Sequence, residues 1–215
     1  MSERAPIVSP EVTRYLEEHV PKRPPSLSEQ EAEAARTGFP IIGPAAGQFC
    51  YVLARACAAR AIFELGSGTG YSTAWFARAV LENGGGVVHH TVREEDLSRR
   101  ARTNLEALGL EGPVTFHTGD AVEALRAVSG PFDLIFLDID KVGYPAALPV
   151  IAERLRPGGV LVADNVLWSG RIFDGSDRSP ATEGIRAFTR LVAADRRFAP
   201  TIVPIRDGLM VAYRS

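Results

Sequence analysis

From residue 60 onward the chain alternates short strand-like runs with helical patterns, and this alternation restricts its fold more than any other feature. Apolar runs occur at 61–65, 86–92, 113–117, 132–138, 159–163, 200–205 and 208–213. Helical periodicity fills the gaps at 71–82, 95–108, 120–128, 144–155 and 181–194. The middle runs, such as Phe132-Asp133-Leu134-Ile135-Phe136-Leu137, are almost continuously apolar, as strands covered on both faces are. Strands separated by helices join through right-handed crossovers and build a parallel, doubly wound α/β sheet. Only Arg206-Asp207 separates the last two runs, too little for a crossover. They therefore form a hairpin, in which one strand runs antiparallel. The expected core over 59–215 is a seven-stranded, mostly parallel, Rossmann-like sheet with helices on both faces.

The first 58 residues contain no confident strand and read as a helical extension of the same single domain. A helix at 9–20 is stopped by Pro21, Pro24 and Pro25. Ser28 with Glu31 has the spacing of a capping box for a second helix, which Gly38 and Pro40 end. A third helix is expected at 44–58. Cys50 and Cys57 fall seven residues apart in that pattern, about 10 Å along a helix axis, so they are expected as free thiols. The net charge of −2 gives no global attraction to nucleic acid or an anionic membrane. No apolar stretch approaches the roughly 18 residues of a membrane helix. The start, M-S-E-R-A-P, lacks a basic segment followed by an apolar run, so a cytoplasmic protein is expected.

In a doubly wound sheet, ligands bind beyond the carboxyl ends of the strands, where strand order reverses. The first strand ends there in E-L-G-S-G-T-G-Y-S (64–72), with glycines at 66, 68 and 70. This is not the dinucleotide fingerprint, because Tyr71 stands where a third glycine would fall, and no lysine supports a phosphate loop. Glu64 would repel a phosphate and suits an amino group. A ligand with a cationic amine and a ribose fits better than a pyrophosphate, approached by the loop backbone at Gly66 and Ser67. Ser72 opens the following helix, whose N-terminal dipole favours an anionic group.

The fourth and fifth strands end in Asp138 and in Asp164-Asn165. Adjacent parallel strands lie about 4.8 Å apart, so these oxygen-bearing side chains converge. Two carboxylates that close need a proton or a cation between them. An Asp, Asp, Asn set suits a hard cation, Mg²⁺, Mn²⁺ or Ca²⁺, rather than zinc.

Three segments together resemble one family. E-L-G-S-G-T-G-Y-S looks like the first motif of class I S-adenosylmethionine-dependent methyltransferases. D-I-D-K-V-G-Y (138–144) and D-N-V-L-W-S-G (164–170) are similar to motifs of the metal-dependent O-methyltransferases that include catechol and caffeoyl-CoA methyltransferases. The resemblance spans roughly 27–215. It implies S-adenosyl-L-methionine as cofactor, a divalent metal on Asp138, Asp164 and Asn165, and catalysis by Lys141 as base together with Asp138. Ile42 is implied at the methionine end of the cofactor, and Asp120 and Ala121 at the adenine, with Asp138 also in the cofactor set. The substrate implied is a small hydroxylated molecule, vicinal-dihydroxy and aromatic.

The second strand departs from the pattern, placing Val92 where an acid would take the ribose hydroxyls. Glu94 or Glu95 serves instead if the loop is displaced. His89 and His90, adjacent in a strand, point to opposite faces and are read as structural. Residues 169–180 form a polar loop expected over the substrate, with Lys141, Tyr144, Trp168 and Phe173 beside it. The N-terminal helices are expected as lid or dimer surface of a homodimer. Two alternatives stay open: a non-catalytic S-adenosylmethionine-binding protein, and a nicotinamide-dependent reductase, which lacks its G-x-G-x-x-G and Tyr-x-x-x-Lys here.

Overall fold

The computed structural model describes residues 7–215, built around one seven-stranded sheet. Its strands are β1 (Ala61–Leu65), β2 (Val87–Val92), β3 (Val114–Thr118), β4 (Phe132–Leu137), β5 (Leu155–Ala163), β6 (Phe198–Val203) and β7 (Leu209–Arg214). They lie in the order β3-β2-β1-β4-β5-β7-β6. Strands β1 to β5 pair in parallel, and β7 runs antiparallel to both β5 and β6. The doubly wound sheet expected from the alternation is therefore present, and its antiparallel member is the last strand.

Helices α1 (Pro10–Glu18), α2 (Pro25–Thr37) and α3 (Gly43–Ala56) precede the sheet. Helices α4 (Tyr71–Glu82), α5 (Glu95–Ala107), α6 (Ala121–Ala127) and α7 (Tyr144–Arg154) make the crossovers, and α8 (Pro180–Ala194) leads into β6. Alternate side chains of β4 enter two separate cores, as the two-residue repeat of a strand requires. Leu134 and Phe136 join Ile62, Val162, Cys50 and Phe76 on the α3–α4 side. Ile135 and Leu137 join Phe63, Leu161, Ile151 and Phe188 on the α7–α8 side. All four β4 side chains are fully buried. At roughly 1.5–3 kcal/mol each, that burial makes β4 a rigid post for whatever follows its carboxyl end.

Several boundaries differ from expectation. Strand β5 begins at Leu155 rather than 159, because Leu155 pairs with Phe132 and is buried with it. The Ser28–Glu31 capping box does not form. Helix α2 starts at Pro25 after Pro24 with no side-chain cap, and Glu31 instead accepts the Tyr71 hydroxyl at 2.8 Å and pairs with Arg23 at 2.7 Å. Gly38 ends α2 in the left-handed conformation, as expected. Cys50 and Cys57 are free thiols. His89 and His90 do separate: His89 meets His117 at 2.9 Å, and His90 meets the Thr73 hydroxyl at 3.0 Å. Among the described residues no helix is long and apolar enough to cross a membrane.

Candidate active site

The carboxyl ends of β1, β2, β3 and β4 open into one cavity of about 770 Å³, within the range that holds a small-molecule ligand. The glycine loop forms one wall. Gly66, Gly68 and Gly70 all have positive φ. At Gly66 a side chain would strike the Asp138 carbonyl, so only glycine lets β1 and β4 close here. The loop is stapled to β2 through Thr91. Its hydroxyl donates to the Glu64 carbonyl at 2.5 Å and accepts the Gly66 N–H at 3.2 Å, and its own N–H donates to Ser67 Oγ at 3.0 Å. Helix α4 then begins with no side-chain cap, leaving its first N–H groups to a ligand.

Most of the residues expected at a cofactor lie around this cavity. Ile42, Gly66, Ser67, Ser72, Glu94, Asp120, Ala121 and Asp138 all line it. Glu95 does not, so of the two acids considered after Val92 only Glu94 lines the cavity; Val92 itself is part of the wall. Asp120 caps α6 through the N–H groups of Val122 and Glu123, and its other oxygen lies 3.4 Å from Arg93. Glu64 does not line the cavity; it is fully buried behind it. Burial raises its carboxyl to about 7, against the pull of the Ser72, Thr73 and Ser67 hydroxyls. Thr73 donates to its Oε2 at 2.5 Å, while Oε1 has no partner among the described residues. A glycine cradle beside an open helix N-terminus fits a ligand carrying a carboxylate.

Asp138 joins the cavity to a second set of groups. Leu137 pairs with Ala163 in the sheet, so Asp138 and Asp164 leave adjacent parallel strands together. Lys141 Nζ donates to Asp138 Oδ1 at 2.6 Å and to the Ile139 carbonyl at 3.1 Å, and the residue is only 8% exposed. It lies 5.0 Å from the Tyr144 ring centre and 5.9 Å from that of Trp168. Asp164 is buried, and its carboxyl is pushed up first by that burial and then by the charge of Asp138. Repulsion between these carboxylates marks a place that wants positive charge. Among the described residues no three His, Cys, Asp or Glu side chains gather as a metal site. Any cation here depends on two carboxylates and the Asn165 amide, an oxygen set that fits a hard divalent ion.

Comparison with known proteins decides the lineage. A family model described as O-methyltransferase matches residues 18–215. The chain belongs to the O-methyltransferase family. A catechol O-methyltransferase from Niastella koreensis is 35% identical over 191 residues, covering 83% of this chain and 85% of its own. The solved O-methyltransferase from Bacillus cereus, in complex with SAH, superposes with a TM-score of 0.86 at 31% identity, over 95% of this chain and 97% of its own. TomG from Streptomyces achromogenes, an O-methyltransferase of tomaymycin synthesis in complex with SAM, gives 0.85 at 26% identity, over 95% and 96%. The reductase alternative falls with this membership.

Within this O-methyltransferase, Tyr144 takes a different place from the substrate contact expected of it. It is fully buried, and its hydroxyl donates to the Leu137 and Asp164 carbonyls at 3.1 and 3.0 Å. A phenol used to tie the ends of β4 and β5 together has no face left for a substrate. Trp168 is half-buried at positive φ, its Nε1 without a partner among the described residues. Phe173 is 72% exposed on the 169–180 loop. Arg186 secures that loop through the Arg171, Ile172, Asp174 and Asp177 carbonyls.

Two neighbours of the carboxylates went unread in the sequence. Arg206 donates to Asp164 Oδ2 at 3.0 Å, and Asp207 Oδ2 accepts the Asn165 amide N–H at 3.3 Å. Both lie in the turn between β6 and β7, where their spacing signalled only a hairpin. Gly184 was also missed: helix α8 passes so close to the Lys141 carbonyl that any side chain at 184 would strike it.

Proposed function

We propose that this chain methylates a hydroxyl of a small vicinal-dihydroxy aromatic molecule, using S-adenosylmethionine and a divalent cation held by Asp138, Asp164 and Asn165. The observation that carries the reading is the double role of Asp138, which lines the cofactor cavity and also holds Lys141 beside Asp164. The relatives agree in kind, since one is named a catechol O-methyltransferase and two solved ones hold SAM or SAH. Residues 59–215 act as the catalytic core of a single domain and 1–58 as its helical extension. A homodimer in the cytoplasm is the setting proposed from the sequence.

When bound, the cofactor supplies a methyl group on a sulfonium, and the cation supplies charge that favours an ionised hydroxyl. Gly66 and Ser67 bring backbone against the cofactor, and Ser72 with the open start of α4 holds its carboxylate. Glu94 answers its ribose, Asp120 and Ala121 its adenine, and Ile42 closes over the methionine end, while Glu64, expected at the amine, lies buried behind the loop and out of the cavity wall. Asn165 presents its amide oxygen because its N–H is committed to Asp207. Lys141, positioned by Asp138 and the Ile139 carbonyl, takes the hydroxyl proton at Nζ as the neutral amine, after releasing a proton of its own to solvent. Trp168 offers an aromatic face to the substrate ring. The remaining acceleration comes from holding oxygen, carbon and sulfur in line.

Methylation of a catechol panel is expected to stop with chelator and return with Mg²⁺. Lys141→Met is expected to lower kcat on the order of a hundredfold or more, with S-adenosylhomocysteine still binding by calorimetry. Undiminished turnover in chelator, or in Asp138→Ala, overturns the reading.

A further inference from the structure

Asp164 is 1% exposed, and both of its carboxylate oxygens are already engaged. Oδ1 accepts the Asn165 N–H at 2.7 Å, and Oδ2 accepts the guanidinium of Arg206 at 3.0 Å. Arg206 comes from a turn 42 residues further along the chain, and its side chain is 37% exposed. Its backbone has φ +53°, a conformation that suits glycine or asparagine better than a long side chain. Turn geometry therefore does not explain an arginine at 206, whereas its contact with Asp164 does.

We propose that Arg206 is a built-in counter-ion of the metal site, holding the cation position on Asp164 while no metal is bound and swinging outward when a divalent ion arrives. The inference rests on the metal reading above. Each carboxylate of the pair already carries an organic cation, Lys141 on Asp138 and Arg206 on Asp164. Without them two carboxylates at neighbouring strand ends would repel each other in a buried setting, at a large cost. A divalent ion would draw on the same carboxylate, and a guanidinium left beside it would add like-charge repulsion. Metal binding and the Arg206–Asp164 pair therefore exclude each other.

The turn is built so that the arginine can leave without unravelling it. Val166 N–H donates to the Gly208 carbonyl at 3.1 Å, Leu167 N–H to the Asp207 carbonyl at 2.9 Å, and Ser169 N–H to Asp207 Oδ1 at 2.5 Å. None of these bonds involves the guanidinium. The Arg206 side chain is 37% exposed, so solvent is open to it, and it also lines a small hollow of about 30 Å³ beside α1.

Calorimetric titration with Mn²⁺ alone, on the full chain without cofactor or substrate, tests the inference. Arg206→Gly suits the left-handed turn and is expected to bind Mn²⁺ on the order of tenfold more tightly than the wild type, the loss of one partly exposed charge-assisted bond. Arg206→Lys keeps the charge and is expected to lie between them. In metal-free buffer Arg206→Gly melts below the wild type, and Mg²⁺ raises its melting point more than it raises that of the wild type. Equal Mn²⁺ affinity in wild type and Arg206→Gly overturns the inference and leaves the metal reading standing. Absence of Mn²⁺ binding in both, with circular dichroism unchanged, overturns the metal reading and this inference with it.

Discussion

Glu64→Gln separates the electrostatics of the glycine loop from its packing. Glu64 is fully buried, and its carboxyl titrates near 7 instead of its ordinary 4.5. The folded state therefore holds the proton more tightly than the unfolded state does. Stability contributed by the protonated form is complete below pH 4.5 and is lost as pH rises through 7. At about 1.4 kcal/mol per pH unit, the interval between those two values amounts to ~3 kcal/mol. Glutamine keeps the shape and carries no charge at any pH, so the variant does not suffer this loss. The stability difference between Glu64→Gln and wild type should therefore shift in favour of the variant by ~3 kcal/mol between pH 4 and pH 8. For a chain of this size that corresponds to roughly 6–12 °C in melting point. Urea or thermal unfolding of both proteins across that range reads it directly, and taking the difference cancels the shared titrating groups that do not interact with Glu64. A difference that stays flat with pH would refute the reasoning, because it would mean that Glu64 remains ionised in the fold or is not buried from water.

Two further substitutions probe the supports of the site. Asp207→Ala removes the acceptor that holds the Asn165 amide N–H and so orients the side chain, and Mn²⁺ affinity should fall about 10- to 100-fold. An unchanged dissociation constant would show that Asn165 needs no such orientation. Gly66→Ala puts a side chain against the Asp138 carbonyl at φ +85° and should cost about 3 kcal/mol in unfolding free energy, with weakened S-adenosylhomocysteine binding. Wild-type stability in that variant would show that β1 and β4 can part without harm.

Patterns local in the chain were legible without coordinates. The alternation after residue 60 specified a doubly wound sheet because each run had to be buried on both faces and each gap had the period of a crossover helix. Asp138, Asp164 and Asn165 could be placed together because they follow directly on strands whose ends must lie side by side. The glycine loop could be distinguished from a phosphate cradle by what it lacks, a lysine and a third glycine at 71. Helix starts were less secure. Ser28 and Glu31 carry the spacing of a cap, yet Glu31 is drawn to Tyr71 and Arg23 instead.

Other features depended on folding itself. The choice of Glu94 over Glu95 turns on which side of the α5 start faces the cavity, a rotation that spacing alone does not convey. Tyr144 reads as an aromatic beside the lysine proposed as base, but its hydroxyl is consumed by two carbonyls that only the pairing of β4 and β5 brings within reach. Arg206 and Asp207 are the clearest case. In the chain they are two polar residues in a hairpin; in the fold they reach the carboxylate and the amide of a site 42 residues away. Sequence by itself determined the sheet, the loop and the strand-end carboxylates, because burial periodicity and strand termini act over a few residues. Only the tertiary structure decided what neutralises and orients those carboxylates, because charges in a buried site are answered by whichever groups the packing of distant strands brings to them.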